Sequence, residues 1–600
     1  RNTWPRFVIA STREAFRNFE RRYGLQLPRV SGDWTPYWED GAGSSALETA
    51  MNRNSSDRLT QAETLWALFR PRGYPVAAFE EAWRQVLLYS EHSWGALGSV
   101  TDPKAPMTRE QWRIKRSYAL EADQQSRDLL AQALENRGGK TRPTDSNRPR
   151  VSENPEQAGR EVDVFNTTSW PRTELVFLSP EISVSGDRVT DDRGHPIPSQ
   201  RLLNGELAFV AREVPSFGGR RYRVSAGPPF KEGTVRAEGA VLDNGILRLQ
   251  VDERTGGIVD LRTPFIEGNL VDTASGQALN DYLYLRGNDL ADLKRNGPVK
   301  ITVKEPGPLL ASLLIESDAP GCTKLIRELR LSAGSDFLEL INTVDKKRLE
   351  AKNYLEPRGK ESVNFAFPFN IPQGEMRLDL PLAVMRPEID QLPGSCKNWL
   401  TVGRWVDISN SHFGITWVSR DAPLIQVGGL TATLLNSQTN PRVWRKKIEP
   451  TRKIYAWVMN NHWGTNYRAY QEGPVTFRFL LRPHGLVNPA EASRLATGFS
   501  QPLLVTPSRG DPPPEPGPLL QASSDEVLIT ALKPSDDGRA LMVRLFGAAG
   551  RTVRTTLVWS RPAPEKLWLS DTGEKPERRL TGPVEVPAYG VVTLRAEWRP

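Results

Sequence analysis

Gly245-Ile246-Leu247-Arg248-Leu249-Gln250-Val251, followed at once by Thr255-Gly256-Gly257-Ile258-Val259, decides how this chain reads. Apolar residues alternate with Arg248 and Gln250, the period of a strand with one covered face. A Thr-Gly-Gly turn breaks the run before the apolar pattern resumes, so the stretch predicts a β-hairpin. Working outward, Val162-Asp163-Val164-Phe165 and Thr173-Glu174-Leu175-Val176-Phe177 repeat the strand pattern, and many later runs do the same. Helical signals are rare from 160 to 485. The region therefore predicts a small β domain over 158–230 and a large β-sandwich over 231–486.

Upstream the period changes. Phe79, Ala82, Trp83, Val86 and Leu87 stand at i, i+3, i+4, i+7 and i+8, with Pro75 near the first turn. Thr108 with Gln111 makes a capping box ahead of a longer helix. Helices over 44–70, 76–91 and 108–136 predict a three-helix bundle, followed by a polar linker over 137–157. Before them, Arg6-Phe7-Val8-Ile9-Ala10 predicts a short strand running into a helix that Ser11 caps with Glu14. A lone strand of that kind needs neighbours, so residues 1–43 are expected to be the truncated end of an α/β barrel. Downstream, 487–518 reads as a Pro-rich linker ending in Asp511-Pro-Pro-Pro-Glu-Pro-Gly-Pro518, and 519–600 as a terminal small β domain. The expected fold class is multidomain α+β: a barrel remnant, a three-helix bundle, then β-sandwiches.

Composition narrows the function classes. The 600 residues are 38% apolar and 25% charged, enough for several packed cores. No apolar run is long enough for a membrane-spanning helix. The net charge of +8 arises from 79 basic and 71 acidic residues mixed along the chain. No basic stripe with aromatic platforms marks a nucleic-acid groove. Two cysteines, Cys322 and Cys396, are too few for a disulfide framework.

Five histidines are present, with no His-x-His, His-Glu-x-x-His or Cys-x-x-Cys spacing. His195 and His484 read as turn or loop residues, and His412 as the start of a strand. His92 ends an amphipathic helix and leads into Ser93-Trp94-Gly95-Ala96, where it is a helix cap or a ligand. His462 lies in Met459-Asn460-Asn461-His462-Trp463-Gly464-Thr465-Asn466-Tyr467, dense in amides and aromatics that suit sugar hydroxyls and sugar faces, or else a turn-rich loop. Ser31-Gly32-Asp33-Trp34-Thr35-Pro36-Tyr37-Trp38-Glu39-Asp40 gathers three carboxylates and three aromatics. Carboxylates between aromatic walls suit glycoside chemistry, and a capped turn at a domain interface accounts for them equally. Asn54-Ser55-Ser56 and Asn166-Thr167-Thr168 match glycosylation sequons.

In this order the elements resemble glycoside hydrolase family 38. Gly32-Asp33-Trp34-Thr35-Pro36-Tyr37 is similar to the family's Gly-Asp-aromatic-x-Pro-Tyr element, and Tyr37-Trp38 falls at its Tyr-Trp pair. Glu91-His92-Ser93 resembles its His-His-Asp motif, with Glu91 for the first histidine and Ser93 for the aspartate. Phe165–Arg172, Asp243–Gly257 and Leu532–Gly538 resemble its β-domain signatures. The resemblance implies a zinc-dependent retaining α-mannosidase with His92 as a zinc ligand. It makes Trp38 an aromatic wall of the sugar site. With the composition of the two stretches, Asp33, Tyr37, Asn461, His462 and Trp463 are expected beside it against an α-mannoside or a mannose-containing oligosaccharide. In such enzymes one carboxylate attacks the anomeric carbon and another protonates the leaving oxygen, about 5 Å away. In this family those carboxylates and the remaining zinc ligands lie upstream of the Gly-Asp-aromatic element, so the chain as given is expected to be inactive. A non-catalytic carbohydrate-binding β-sandwich protein is the alternative from another class.

Overall fold

The computed structural model describes residues 8–34, 37–135, 160–431, 442, 444–462, 464, 466–509, 519–560 and 562–598, with the side chains of Tyr37 and Trp38 outside that set. The expected linker 137–157 lies outside the described residues. Among those described, the chain is a mixed α and multi-sheet β structure. Helix α1 (Thr12–Tyr23) opens on the predicted capping box: the Glu14 amide donates to Ser11 Oγ at 3.3 Å, and the Ser11 amide to Glu14 Oε2 at 2.9 Å. The expected strand is not formed at residues 8–10, which carry no regular structure. An isolated extended segment has no ladder to satisfy its backbone, whereas the capped helix satisfies its own.

Helices α2 (Ala46–Phe69), α3 (Val76–Tyr89) and α4 (Pro106–Glu135) pack on one another. Leu59, Ala62, Leu65 and Trp66 of α2, Phe79, Ala82 and Val86 of α3, and Ala122 and Leu129 of α4 form their shared core. α2 is buried around much of its circumference, because it also meets the sandwich and the terminal domain. Its polar residues take specific partners on the sandwich and on α3. Asn54 Nδ2 donates to Asp421 Oδ1 at 2.9 Å, and the Glu63 carboxylate accepts Trp83 Nε1–H at 2.9 Å.

The predicted hairpin is present: Arg248–Val251 pairs antiparallel with Ile258–Arg262, with Leu249 opposite Leu261. It flanks a sandwich of a six-stranded and a nine-stranded sheet. In the nine-stranded sheet, Leu338–Lys346 buries every second residue and presents Leu338, Leu340 and Val344 to the core. The facing strands Glu361–Pro368 and Lys453–Asn461 are covered on both sides. Ile454, Ala456 and Val458 enter the sandwich core. Trp457 instead packs on the outer face with Ala42, Cys396, Trp399 and Leu424. That outer face is where the candidate site is assembled.

The small β domain has a strand from outside its expected limits. Leu504–Pro507 pairs antiparallel with Arg160–Asn166, and the stretch 487–518 also carries helix α5 (Pro489–Ser500). The reading of 487–518 as a linker is therefore corrected. Asn488 caps α5 with Pro489 at its first position, and Val505 packs against the small domain's core. The Pro-rich run 511–518 lies outside the described residues. In the terminal domain, Val527–Pro534, Ala540–Gly547, Val591–Glu597, Lys566–Ser570 and Pro576–Leu580 form a five-stranded sheet.

Candidate functional site

Three stretches far apart in sequence meet at the outer face of the six-stranded sheet. The first is the 3-10 helix Tyr37–Ser45, which lies against the strand Lys453–Asn461. Its glycines permit the approach. A Cβ on Gly41 would fall 1.8 Å from Trp94 Cδ1, and one on Gly43 would fall 3.0 Å from Asn460 Cβ. Between them Ala42 joins Trp399 and Trp457 in a small apolar cluster.

The second stretch is the turn after α3. Ser90 caps the helix, and His92 follows as an exposed residue. Trp94 turns back against Gly41 and meets the Tyr89 ring edge-on at 5.7 Å. The Tyr89 hydroxyl lies 2.9 Å from both Ser45 Oγ and Thr49 Oγ1, tying the end of α3 to the start of α2. Lys115 of α4 closes the turn from below. Its ammonium donates to the Leu88 and Glu91 carbonyls at 3.2 and 3.0 Å, lies 3.7 Å from the Glu91 carboxylate, and sits 5.4 Å from the Trp94 ring. Burial pushes the Lys115 ammonium down to about 8, opposed by Glu91. Glu91 also accepts the Ser93 amide at 3.1 Å, so this carboxylate shapes the turn that carries His92.

The third stretch is the end of Lys453–Asn461 and the loop beyond it. Asp40, 1% exposed, accepts the Tyr467 hydroxyl at 2.7 Å and Asn460 Nδ2–H at 3.1 Å. Asn461 Nδ2 donates to the Arg468 carbonyl at 2.8 Å, and its Oδ1 accepts Gln471 Nε2–H at 2.8 Å. Gln471 also receives the Ala46 amide at 2.7 Å and donates to the Gly43 carbonyl at 2.8 Å. The turn bearing Trp94 reaches this loop too, since a Cβ on Gly95 would stand 3.0 Å from the Asn466 carbonyl.

The sequence-predicted residues are distributed unevenly over this assembly. Asp33 is pinned beside Gln391: its amide donates to the Asp390 carbonyl at 2.7 Å, and its carbonyl accepts the Leu392 amide at 2.8 Å. Asn461 and His462 are enclosed, at 2% and 1% exposure. Neither ring nitrogen of His462 has a hydrogen-bond partner among the described residues. Burial, with Lys360 nearby, pushes the imidazole down to about 3, so it is neutral. Tyr37 and Trp38 open the 3-10 helix, but their side chains, and all of Trp463, lie outside the described residues. Glu39 accepts the Thr401 hydroxyl, and burial raises its carboxyl above the usual range. Both sequon asparagines are engaged: Asn166 is fully buried, and Asn54 donates to Asp421. His484 ends a strand and meets Asp407 at 2.7 Å, where a loop was expected, and His412 sits in an exposed turn before its strand.

Sequence reasoning noted Asp40 only as one of three clustered carboxylates, and it missed Gln471 and the buried role of Tyr467. The short polar run from Asp40 to Ser45, holding two glycines between apolar stretches, was a signal of close backbone approach.

No group of three or more His, Cys, Asp or Glu that could hold a metal is present among the described residues. Zinc needs three or four protein donors. The described residues therefore do not by themselves form a zinc centre.

No family model matches the sequence. Human epididymis-specific α-mannosidase is 32% identical over 82 residues, which are 13% of this chain and 8% of that protein. Two solved structures from Enterococcus faecalis superpose far more widely. One is an α-mannosidase (TM-score 0.67, 14% identity) and the other a glycosyl hydrolase family 38 protein (TM-score 0.68, 14% identity). Each alignment covers 97% of this chain, and 72% and 73% of the respective structures. Over nearly its whole length, this chain has the fold shared by the α-mannosidase and the glycosyl hydrolase family 38 protein.

Proposed function

We propose that this chain is the helical and β-rich portion of a retaining α-mannosidase of glycoside hydrolase family 38. The observation that carries the reading is the meeting of the Tyr37–Ser45 segment, the His92–Gly95 turn and the Asn460–Tyr467 loop on one face of a fold shared with α-mannosidase structures. Tyr37, Trp38 and Trp463 are assigned to the sugar, whose faces suit aromatic walls. Asn461 and His462, both enclosed, hold the loop in place, and Asp33 fixes the entry of the 31–40 segment. His92 is assigned as one zinc ligand, with the other ligands, the nucleophile and the general acid supplied by residues outside those described. Zinc, if held there, would supply Lewis acidity toward the mannoside hydroxyls. The test is made in the natural protein carrying this chain. His92→Ala is expected to abolish aryl α-mannoside hydrolysis and lower zinc occupancy together. Full activity with zinc retained overturns the assignment.

A second reading, a non-catalytic carbohydrate-binding protein, is favoured by the lack of three clustered metal donors among the described residues. Mannoside binding without any turnover in the natural protein would select it.

A further inference from the structure

We propose that Asp40 is a positioning residue of this site, a buried group that helps fix its three converging stretches as a single body. The inference deepens the α-mannosidase reading and rests on it only for the identity of the ligand. Asp40 is 1% exposed and lies where the 3-10 helix passes the end of Lys453–Asn461. Its carboxylate accepts the Tyr467 hydroxyl at Oδ1 and the Asn460 amide at Oδ2, while its carbonyl accepts the same Asn460 amide at 3.1 Å.

These bonds set a direction. Asn460 presents Nδ2 to Asp40, which leaves its Oδ1 to accept the His462 backbone amide at 3.1 Å. A flipped amide would turn Oδ1 against the carboxylate and leave the His462 amide facing a donor. The carboxylate and carbonyl oxygens of Asp40 thus select the orientation of Asn460, and Asn460 in turn selects the course of the chain at His462. The adjoining residue carries the same constraint to the second stretch. Gly41 lies under the Trp94 indole, so any shift of Asp40 moves the floor on which the His92–Gly95 turn rests. Charged acceptors hold buried donors more firmly than neutral ones, which explains a carboxylate rather than an amide at this point.

The experiment compares Asp40→Asn, the milder Tyr467→Phe, and the exchange pair Asp40→Asn with Asn460→Asp in the full chain. Amide hydrogen exchange and methyl α-mannoside binding are both measured. Asp40→Asn is expected to raise exchange about tenfold or more in 37–45, 91–97 and 460–471 together, with 310–346 of the nine-stranded sheet unchanged. Tyr467→Phe should move the same three stretches by less. The exchange pair restores a carboxylate facing an amide, and should recover most of the protection and of any mannoside affinity. A purely packing role would show no such rescue. Response in only one stretch, or failure of the exchange pair to rescue, overturns the inference whether or not sugar binds. If the wild type binds no mannoside while the three-stretch response and rescue hold, the positioning role stands and the sugar reading falls.

Discussion

Asp40 and Tyr467 stand 427 positions apart in sequence and share a 2.7 Å hydrogen bond in the interior. Removing the hydroxyl while leaving the carboxylate buried strands a charge short of a donor. Tyr467→Phe should therefore cost roughly 1–3 kcal/mol of unfolding free energy, read from urea denaturation with an unchanged m-value. A loss under a few tenths of a kcal/mol would mean that the carboxylate finds another donor.

Gly41 is constrained by space, because its Cβ position is already filled by the Trp94 indole. Gly41→Ala should displace Trp94 from Tyr89 and Lys115 and destabilise by about 1–3 kcal/mol, the usual cost of overpacking. Tryptophan fluorescence and thermal unfolding of the variant check this. Gly464→Ala, whose nearest neighbour among the described residues would be Leu355 at 3.8 Å, serves as the tolerant control.

The neutral His462 links stability to pH in a stated direction. Its folded-state value lies near 3 against an ordinary 6.5, so between those values the unfolded chain binds a proton that the folded chain does not. Stability is thus lost as pH falls from 6.5 toward 3, at up to about 1.4 kcal/mol per pH unit for one such group. His462→Phe should flatten that part of the profile relative to wild type. Superimposable slopes for the two proteins would show that the ring titrates normally.

Lys346 and Glu361 form an ion pair at 2.9 Å, each side chain 1% exposed, and the Tyr284 hydroxyl donates to the same carboxylate at 2.9 Å. Lys346→Met leaves that carboxylate uncompensated and should cost about 3–5 kcal/mol. The double change with Glu361→Leu should recover much of the loss, which equilibrium unfolding of both variants would measure.

Zinc gives a composition test. With His92 the one proposed donor and no cluster of three donors among the described residues, the 600-residue chain should not retain an equimolar amount through gel filtration, and His92→Ala should not change the residual content. Elemental analysis at one zinc per chain would show a site that the described residues do not reveal.

The fold was legible wherever a local rule was enough. Ser11 and Glu14 announce a helix start, and alternation at Leu247, Leu249 and Val251 announces a strand, because each depends on residues within a few positions. The candidate site was legible as three suggestive stretches, and their meeting was not. Contacts such as Gly41 with Trp94 and Gln471 with Asn461 are set by the packing of separate elements. The helix at Pro489–Ser500 was hidden by its flanking prolines, although Pro489 in fact occupies the first helical position, where its missing N–H costs nothing.

The strand Leu504–Pro507 has a consequence for how this molecule comes into being. Its partner Arg160–Asn166 leaves the ribosome more than three hundred residues earlier, and the large sandwich lies between them as an insertion. During synthesis the small β domain waits with an open edge at Arg160–Asn166 until the inserted sandwich has emerged and brought its last strand home. Excising 158–230 on its own would expose that edge permanently, and shuffling this domain among relatives would have to carry both flanks of the insertion together.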